Sequence, residues 1–522
     1  TQGYSSAASD VYKRQYLFYG GSSITMPHMG VLLNESLALN EKGDEIVWVY
    51  CNAKYQSCIS NLSSNSVICK NCVNRVHRLL GKYSKHLTTI PLFDKNKCVK
   101  DAKEYLFCDI DELKDFTFQG CNLGYSIASA YISATRNSIM SFSERHKQYY
   151  SKLVSQVIER FICFEKIVKD CRPDCIVVFN GRYFDAAICI EIARKHHIDY
   201  QIKEVLDGPR CKKPFFIETF FNCSAFDINN KTKKVYDTWN QSSLSEKEKI
   251  KIGSHFYEWK KGGDCVIDKS YVKKQQIGLL PQKWDSQKRN IVIFNSSDDE
   301  LAAIGADYDS YSLFKSQYVG ICSILEHFIG ERNFCFYLRM HPNLSQLDNP
   351  FVNDLLELAD KFDNIIVIAP AEKISSYSLM NAADKVISFG STMGVEANYW
   401  GKPSILLSAS EYYNLGVCYL PSSIEELCEM IKADLQPLAK EGALKYAFYL
   451  LDREVRCHRA NFVDISFIKR NMLFKTIYTF SYDKLLYSSF LARLESLLYR
   501  KLFSKFIPDK NKFPEQIVLD NI

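Results

Sequence analysis

The sequence predicts an α/β protein with room for at least two domains, and three stretches carry that prediction. The first is Val386-Ile387-Ser388-Phe389-Gly390-Ser391-Thr392-Met393-Gly394-Val395-Glu396-Ala397, followed by Gly401-Lys402-Pro403-Ser404-Ile405-Leu406-Leu407. An apolar run ends in Gly-Ser-Thr, a helical segment follows, and a second apolar run comes after a Gly-Lys-Pro turn. That order reads as strand, loop, helix and strand. The second stretch is Phe334-Cys335-Phe336-Tyr337-Leu338, a buried strand that runs into Arg339-Met340-His341-Pro342-Asn343. Pro342 has no N–H to give a ladder, so the strand stops there. The third is the opening of the chain, where residues 16–19 enter Gly20-Gly21-Ser22-Ser23 and a helix and a strand follow. Strands alternating with helices build a parallel sheet covered on both faces.

The elements follow in order. Residues 1–15 lack an initiator Met and resemble translated sequencing-adaptor read-through, so they are expected to be a non-native leader. Residues 16–19 form the first strand. Pro27-His28-Met29-Gly30 leads into a helix with Leu32, Leu33, Leu37 and Leu39, ended by Gly43, and the next strand spans 46–50. Residues 175–179 are a third clear strand, with Asn180-Gly181-Arg182 at its end. The helix after it leads to a strand that delivers Glu204 and then Asp207-Gly208. Residues 226–285 are polar and Lys-rich, and read as the end of the first domain and a linker. The boundary is therefore set near 285: 16–285 is the first domain and 286–450 the second. Residues 291–294 open the second domain and run into Asn295-Ser296-Ser297-Asp298-Asp299-Glu300, a helix-start signature. Segments 423–433 and 438–451 read as helical, and 451–522 as a helical, aromatic and basic tail.

Two of these segments point to chemistry. Small residues at Gly390-Ser391-Thr392 let the backbone approach a ligand closely, and the helix that follows offers N–H groups beside the Ser391 and Thr392 hydroxyls. That is an anion-binding arrangement, and Glu396 one turn on can accept hydrogen bonds from sugar hydroxyls. The segment thus suits a nucleotide-linked ligand. In open α/β sheets ligands sit beyond the carboxyl ends of strands, where Arg339 and His341 stand. A His there can donate to a phosphate or protonate a leaving group, or it is simply structural.

Arg-x-His-Pro, Ser375-Ser376-Tyr377-Ser378-Leu379 with Ala383-Asp384, Gly-Ser-Thr-x-Gly-x-Glu-Ala and Gly-Lys-Pro occur in the same order in a known group. The chain resembles bacterial capsular and surface polysaccharide glycosyltransferases, including the Kdo-transferase-like capsule proteins. It is more distantly similar to polysialyltransferases and CDP-glycerol glycerophosphotransferases. The resemblance covers 290–425 most closely and 16–210 more loosely. It implies a GT-B fold, two Rossmann-like domains facing across a cleft, the second binding a CMP-, UDP- or CDP-linked sugar donor. It also implies a growing polysaccharide or lipid-linked acceptor. His341, Arg339, Ser391, Thr392 and Glu396 become donor-binding candidates, with Ser296 and Ser297 as secondary contacts or mere helix caps. In similar enzymes the loop before His28 faces the cleft, which makes His28 a candidate base, with Glu204 and Asp207 as alternatives. Asn180 and Arg182 fall in the cleft, where Arg182 pairs with an anionic sugar or with Glu204. The same motifs support polyol-phosphate transfer from a CDP-linked donor. A non-catalytic assembly protein of this fold is a third reading.

Composition narrows the field. The 522 residues, 47% of them hydrophobic, suffice for real cores. A net charge of +6 is small for this length and gives no argument for nucleic-acid binding. No apolar run reaches the roughly 18 residues of a membrane span, and no secretory signal is visible. Nineteen cysteines then argue for reduced thiols in a cytosol, the expected location. The basic, aromatic tail reads either as a solvated surface helix or as a contact with the inner membrane face. Cys51, Cys58, Cys69 and Cys72, spaced C-x6-C-x10-C-x2-C, form a candidate structural zinc site. Without an Asp-x-Asp or His-Glu helix motif, catalysis is expected to need no metal or other cofactor.

Overall fold

The computed structural model describes residues 13–22, 28–52, 57–62, 64, 66–93, 103–206, 215–265, 271–453 and 457–460. Asp207, residues 1–12 of the expected leader, and the tail beyond 460 with its basic and aromatic residues lie outside the described residues, whereas Gln15, the last residue of that expected leader, pairs in the first strand.

The first sheet contains β1 (Gln15–Tyr19), β2 (Glu45–Tyr50) and β3 (Thr88–Pro91). A small separate hairpin, β4 (Thr117–Phe118) and β5 (Cys121–Asn122), precedes β6 (Cys175–Phe179), β7 (Asp199–Val205) and β8 (Phe215–Phe221) of the same first sheet. The second sheet comprises β9 (Arg289–Phe294), β10 (Phe334–Arg339), β11 (Ile365–Ile368), β12 (Lys385–Ser388) and β13 (Ser404–Leu406). A last strand, β14 (Cys457–Ala460), returns to the first. The strand orders are β14-β8-β7-β6-β1-β2-β3 and β11-β10-β9-β12-β13. All pairings of the second sheet are parallel, as are those joining β7, β6, β1, β2 and β3. Each sheet is thus a Rossmann-like doubly wound layer, the class that the alternating pattern predicts.

Strand residues alternate between two cores because successive side chains point to opposite faces. Leu17, Val47, Val49, Ile176 and Val178 pack under the helices Gly124–Thr135, Glu144–Cys171 and Phe184–Lys195. Tyr16, Phe18, Ile46, Trp48 and Val177 pack against the helix His28–Glu41 and its neighbour Ser66–Lys82. In the second sheet Ile291, Ile293, Phe336, Leu338 and Ile387 face one core, and Val292, Phe294, Tyr337 and Val386 the other.

Two segments depart from the sequence reading. The helices Ile228–Gln241 and Glu246–Gly262 lie in the stretch read as the end of the first domain and a linker. They nonetheless share a core with the second domain: Val235, Phe256 and Tyr257 pack with Val395, Tyr412, Ala443 and Ala447. Polar, Lys-rich composition concealed a narrow apolar face. Residues 457–460, expected to begin a helical tail, instead form β14, antiparallel to β8. The open edge of β8 offers unpaired backbone groups, and pairing satisfies them. Among the described residues no helix is long and apolar enough to cross a membrane.

Candidate functional site

Strand order marks where a ligand crevice opens. In the first sheet the order reverses between β1 and β6, and in the second between β9 and β12. Ligands of open α/β sheets bind beyond the carboxyl ends at such points. The loops there carry Asn180 on one side, with His28 at the start of the helix that follows β1, and Asn295 and Gly390 on the other.

On the first-domain side the His28 ring stacks on Phe179, with centroids 3.8 Å apart. Burial pushes the His28 imidazole down to about 4, so it is neutral at pH 7. Asn180 adopts a left-handed backbone (φ +64°), and Gly181 follows at φ +77°. A Cβ on Gly181 would stand 2.8 Å from Ile190 Cδ1, so a glycine is required at this turn. The turn aims Asn180 Nδ2 at Glu204 Oε1, which accepts at 2.8 Å. Burial pushes the Glu204 carboxyl up to about 7, against the pull of the Asn180 amide and the Lys231 ammonium. A carboxylate poised near neutrality is the property a general base needs.

Arg182 does not pair with Glu204. Its Nε donates to Ser129 Oγ at 2.6 Å, and its terminal nitrogens donate to the carbonyl oxygens of Glu300 (2.6 Å), Ala302 (2.9 Å) and Asp299 (3.3 Å). It therefore clamps the short helix Asp298–Leu301 of the second domain to the first. Arg136 strengthens the clamp with an ion pair to Asp299 at 3.1 Å.

On the second-domain side the His341 backbone N–H donates to Asn295 Oδ1 at 2.8 Å, which ties the ends of β9 and β10 together. The Asn343 N–H donates to His341 Nδ1 at 3.2 Å. In the neutral ring the proton therefore sits on Nε2, a donor. Tyr271 stands edge-on to the imidazole at 5.6 Å. A cavity of about 380 Å³ is lined by Arg339, Pro342 and Asn343, on either side of His341, with Tyr271, Pro370 and Glu372. Arg339 is 2% exposed and donates to the carbonyl oxygens of Ala369 (2.7 Å) and Glu372 (3.2 Å); burial lowers it to about 10.

Other donor candidates behave differently from expectation. Ser296 is buried and exchanges hydrogen bonds with Gln317, and the buried Ser297 hydroxyl donates to Asp299. Both serines hold the loop together from inside. Asp298 and Asp299 point to different partners, Gln317 and Arg136. Glu396, expected to meet sugar hydroxyls, is 1% exposed. Its Oε1 accepts from Thr392 Oγ1 (2.9 Å) and pairs with Lys260 Nζ (2.8 Å), while Oε2 accepts from the Tyr377 hydroxyl. The helix Met393–Tyr399 turns this residue inward, where a charge survives only when paired. Ser391 and Thr392 remain at the loop. The Ser391 carbonyl accepts from Ser388 Oγ at 2.9 Å, and Thr392 lines a second cavity of about 300 Å³. Tyr308, Glu411, Arg453 and Leu206 also line it, Leu206 lying two residues beyond Glu204. Glu411 pairs with Lys231 at 3.1 Å. Sequence reasoning missed Lys260, Lys231 and Tyr271; inside a Lys-rich segment no spacing or motif singles them out.

The cysteine cluster is expected to hold a structural zinc. Cys51, Cys58, Cys69 and Cys72 lie near enough to influence one another, and burial raises the Cys58 and Cys69 thiols. Among the described residues, however, no three His, Cys, Asp or Glu side chains are arranged to hold a metal ion.

Two Rossmann-like domains meeting through the loops at their strand ends define the GT-B fold class. No protein-family model matches the chain, and no curated protein sequence matches it. Among solved structures, a Thermosulfurimonas dismutans KpsC β-Kdo 2,4 transferase is 13% identical with a TM-score of 0.33, over 53% of this chain and 79% of its own. A Neisseria meningitidis UDP-GlcNAc 2-epimerase is 13% identical with a TM-score of 0.25, over 83% and 98%. Acinetobacter baumannii MurG is 10% identical with a TM-score of 0.25, over 84% and 94%. Similarities this slight carry no argument about activity, and the fold class rests on the strand order of the two sheets.

Proposed function

We propose that the chain is a glycosyltransferase that moves a sugar from a nucleotide-activated donor to a surface polysaccharide or lipid-linked acceptor. The observation that carries this reading is the cavity of about 380 Å³ beside His341, at the carboxyl ends of parallel strands. It is large enough for a nucleoside; Asn295 holds the His341 backbone N–H, and the Asn343 N–H donates to the imidazole Nδ1. In this reading the nucleoside occupies that cavity and the donor phosphate meets His341 and the Thr392 hydroxyl. The sugar then extends toward the second cavity, lined by Leu206, two residues beyond Glu204.

The chemistry balances as a displacement at the anomeric carbon. The acceptor oxygen forms the new bond, and its proton passes to the Glu204 carboxylate. The anomeric carbon–oxygen bond to phosphate breaks, and its electron pair leaves with the nucleotide. His341 stabilises the charge on that phosphate, aided by Thr392. Asn180 orients Glu204 as a positioning residue.

Calorimetric titration of CMP, CDP, UDP and GDP against wild type and His341→Ala tests the reading. One nucleotide is expected to bind, and the variant to bind it at least roughly tenfold more weakly, the loss of one charge-assisted hydrogen bond. A folded wild type that binds none of the four defeats the proposal.

A further inference from the structure

Lys260 is buried, 6% exposed, in the last turn of the helix Glu246–Gly262. Its Nζ lies 2.9 Å from Thr392 Oγ1 and 2.8 Å from Glu396 Oε1. A lysine this deep is rare and persists only when paired. Its helix is held against the second domain on the same face. A Cβ on Gly253 would stand 2.7 Å from the Leu444 carbonyl oxygen, so the backbones approach closely. Tyr257 donates to the Ala443 carbonyl oxygen at 2.8 Å and stacks on Tyr399 with centroids 4.1 Å apart. Gly253, Tyr257 and Lys260 follow the four- and three-residue steps of one helical stripe. The stripe delivers a cation beneath the 390–392 loop from a segment earlier in the chain than the whole second sheet.

We propose that Lys260 is a positioning residue for a phosphate-bearing ligand: it sets the Thr392 hydroxyl and the 390–392 loop for the phosphate of a nucleotide. This rests on the glycosyltransferase reading and deepens it. Thr392 touches the cavity and Lys260 does not, so Lys260 acts through the hydroxyl. With Lys260 Nζ donating to Thr392 Oγ1, the hydroxyl proton turns elsewhere. In this structure it goes to Glu396 Oε1, at 2.9 Å. An arriving phosphate oxygen competes for that same proton, and Lys260 then keeps Glu396 neutralised. The pair lets Thr392 change acceptor without leaving a bare buried carboxylate.

Removing Lys260 alone would strand Glu396, so the test uses the double variant Lys260→Met with Glu396→Gln, which removes both charges. Thermal melting checks its fold. Calorimetry then compares the nucleotide that the wild type binds with its parent nucleoside, which has the same base and ribose and no phosphate. The expected result is a melting temperature close to wild type, a loss of roughly tenfold on the nucleotide, and no loss on the nucleoside. Equal losses on both ligands, or none on either, would overturn the inference and leave Lys260 a packing residue. If the wild type binds no nucleotide, the functional reading falls and this inference with it. If His341→Ala weakens binding and the double variant does not, only the inference falls.

Discussion

The two sheets turn their carboxyl ends to the same crevice and furnish it with opposite kinds of chemistry. At the first sheet, His28 and Glu204 are titratable groups set by burial, one lowered to about 4 and the other raised to about 7. At the second, charges are neutralised in place: Lys260 by Glu396, with Arg339 by the Ala369 and Glu372 carbonyl oxygens. Groups that gain or lose a proton near neutrality suit proton transfer, whereas fixed charges and tied loops suit holding an anion. In the proposed reading, the titratable Glu204 serves the acceptor side and the paired charges around Thr392 serve the donor side.

The sharpest way to break this comparison is Glu204→Gln. Turnover is expected to fall by about 10²- to 10⁴-fold, the usual worth of a general base, while nucleotide affinity measured by calorimetry stays at the wild-type value. In the wild type, kcat/KM should rise with pH through about 7, because the base works ionised. An acid limb near 4 would hand the role to His28 instead. The sign for stability is opposite. The folded protein keeps the Glu204 proton up to about 7, whereas an unfolded glutamate releases it near 4.5. Ionisation therefore destabilises the fold, a penalty that is absent below about 4.5 and complete above about 7. Glu204→Gln should melt higher than wild type at pH 8 and no higher at pH 4.

Glu396→Ala addresses the fixed charges of the other side. It leaves Lys260 buried without its carboxylate and should cost about 3–5 kcal/mol in a denaturant titration. A cost below about 1 kcal/mol would mean that water reaches the site, and the charges would not be locked as described.

Arg182→Ala tests the clamp that brings the sides together. Losing donors to the carbonyl oxygens at 299, 300 and 302 should cost about 1–3 kcal/mol. Hydrogen exchange should quicken in residues 298–302. Unchanged exchange there would show that Arg136 and Asp299 hold the domains without it.

The smallest effect is expected at His28. Replacing its ring by Asn removes the stack on Phe179, worth about 0.5–1.5 kcal/mol, and should leave the pH dependence of turnover near 7 in place. Disappearance of that limb in His28→Asn would reverse the roles given to His28 and Glu204.

Much was decided locally. Apolar runs of strand length ending in Gly, Pro or Asn placed the strands that end at Tyr19, Phe179, Phe294 and Arg339, because a buried parallel strand is a continuous apolar run. The same endings place Asn180, His341 and Thr392 in the segments that follow those strands, since such loops are short and their position follows from the strand. The orientation of a side chain inside a folded loop is another matter. Ser296 and Ser297 in their loop and Glu396 on its short helix turn inward, and their partners Gln317, Asp299 and Lys260 are distant in sequence or of a type found throughout the chain. Arg182 reaches across to carbonyl oxygens more than 100 residues away, a contact no local pattern encodes. By itself the sequence determined the α/β class, the strands and the loops that bear the chemistry, through short-range periodicity and turn residues. Only the tertiary structure decided which polar groups face the ligand and which neutralise one another, because that choice depends on desolvation and on charges that folding alone brings together.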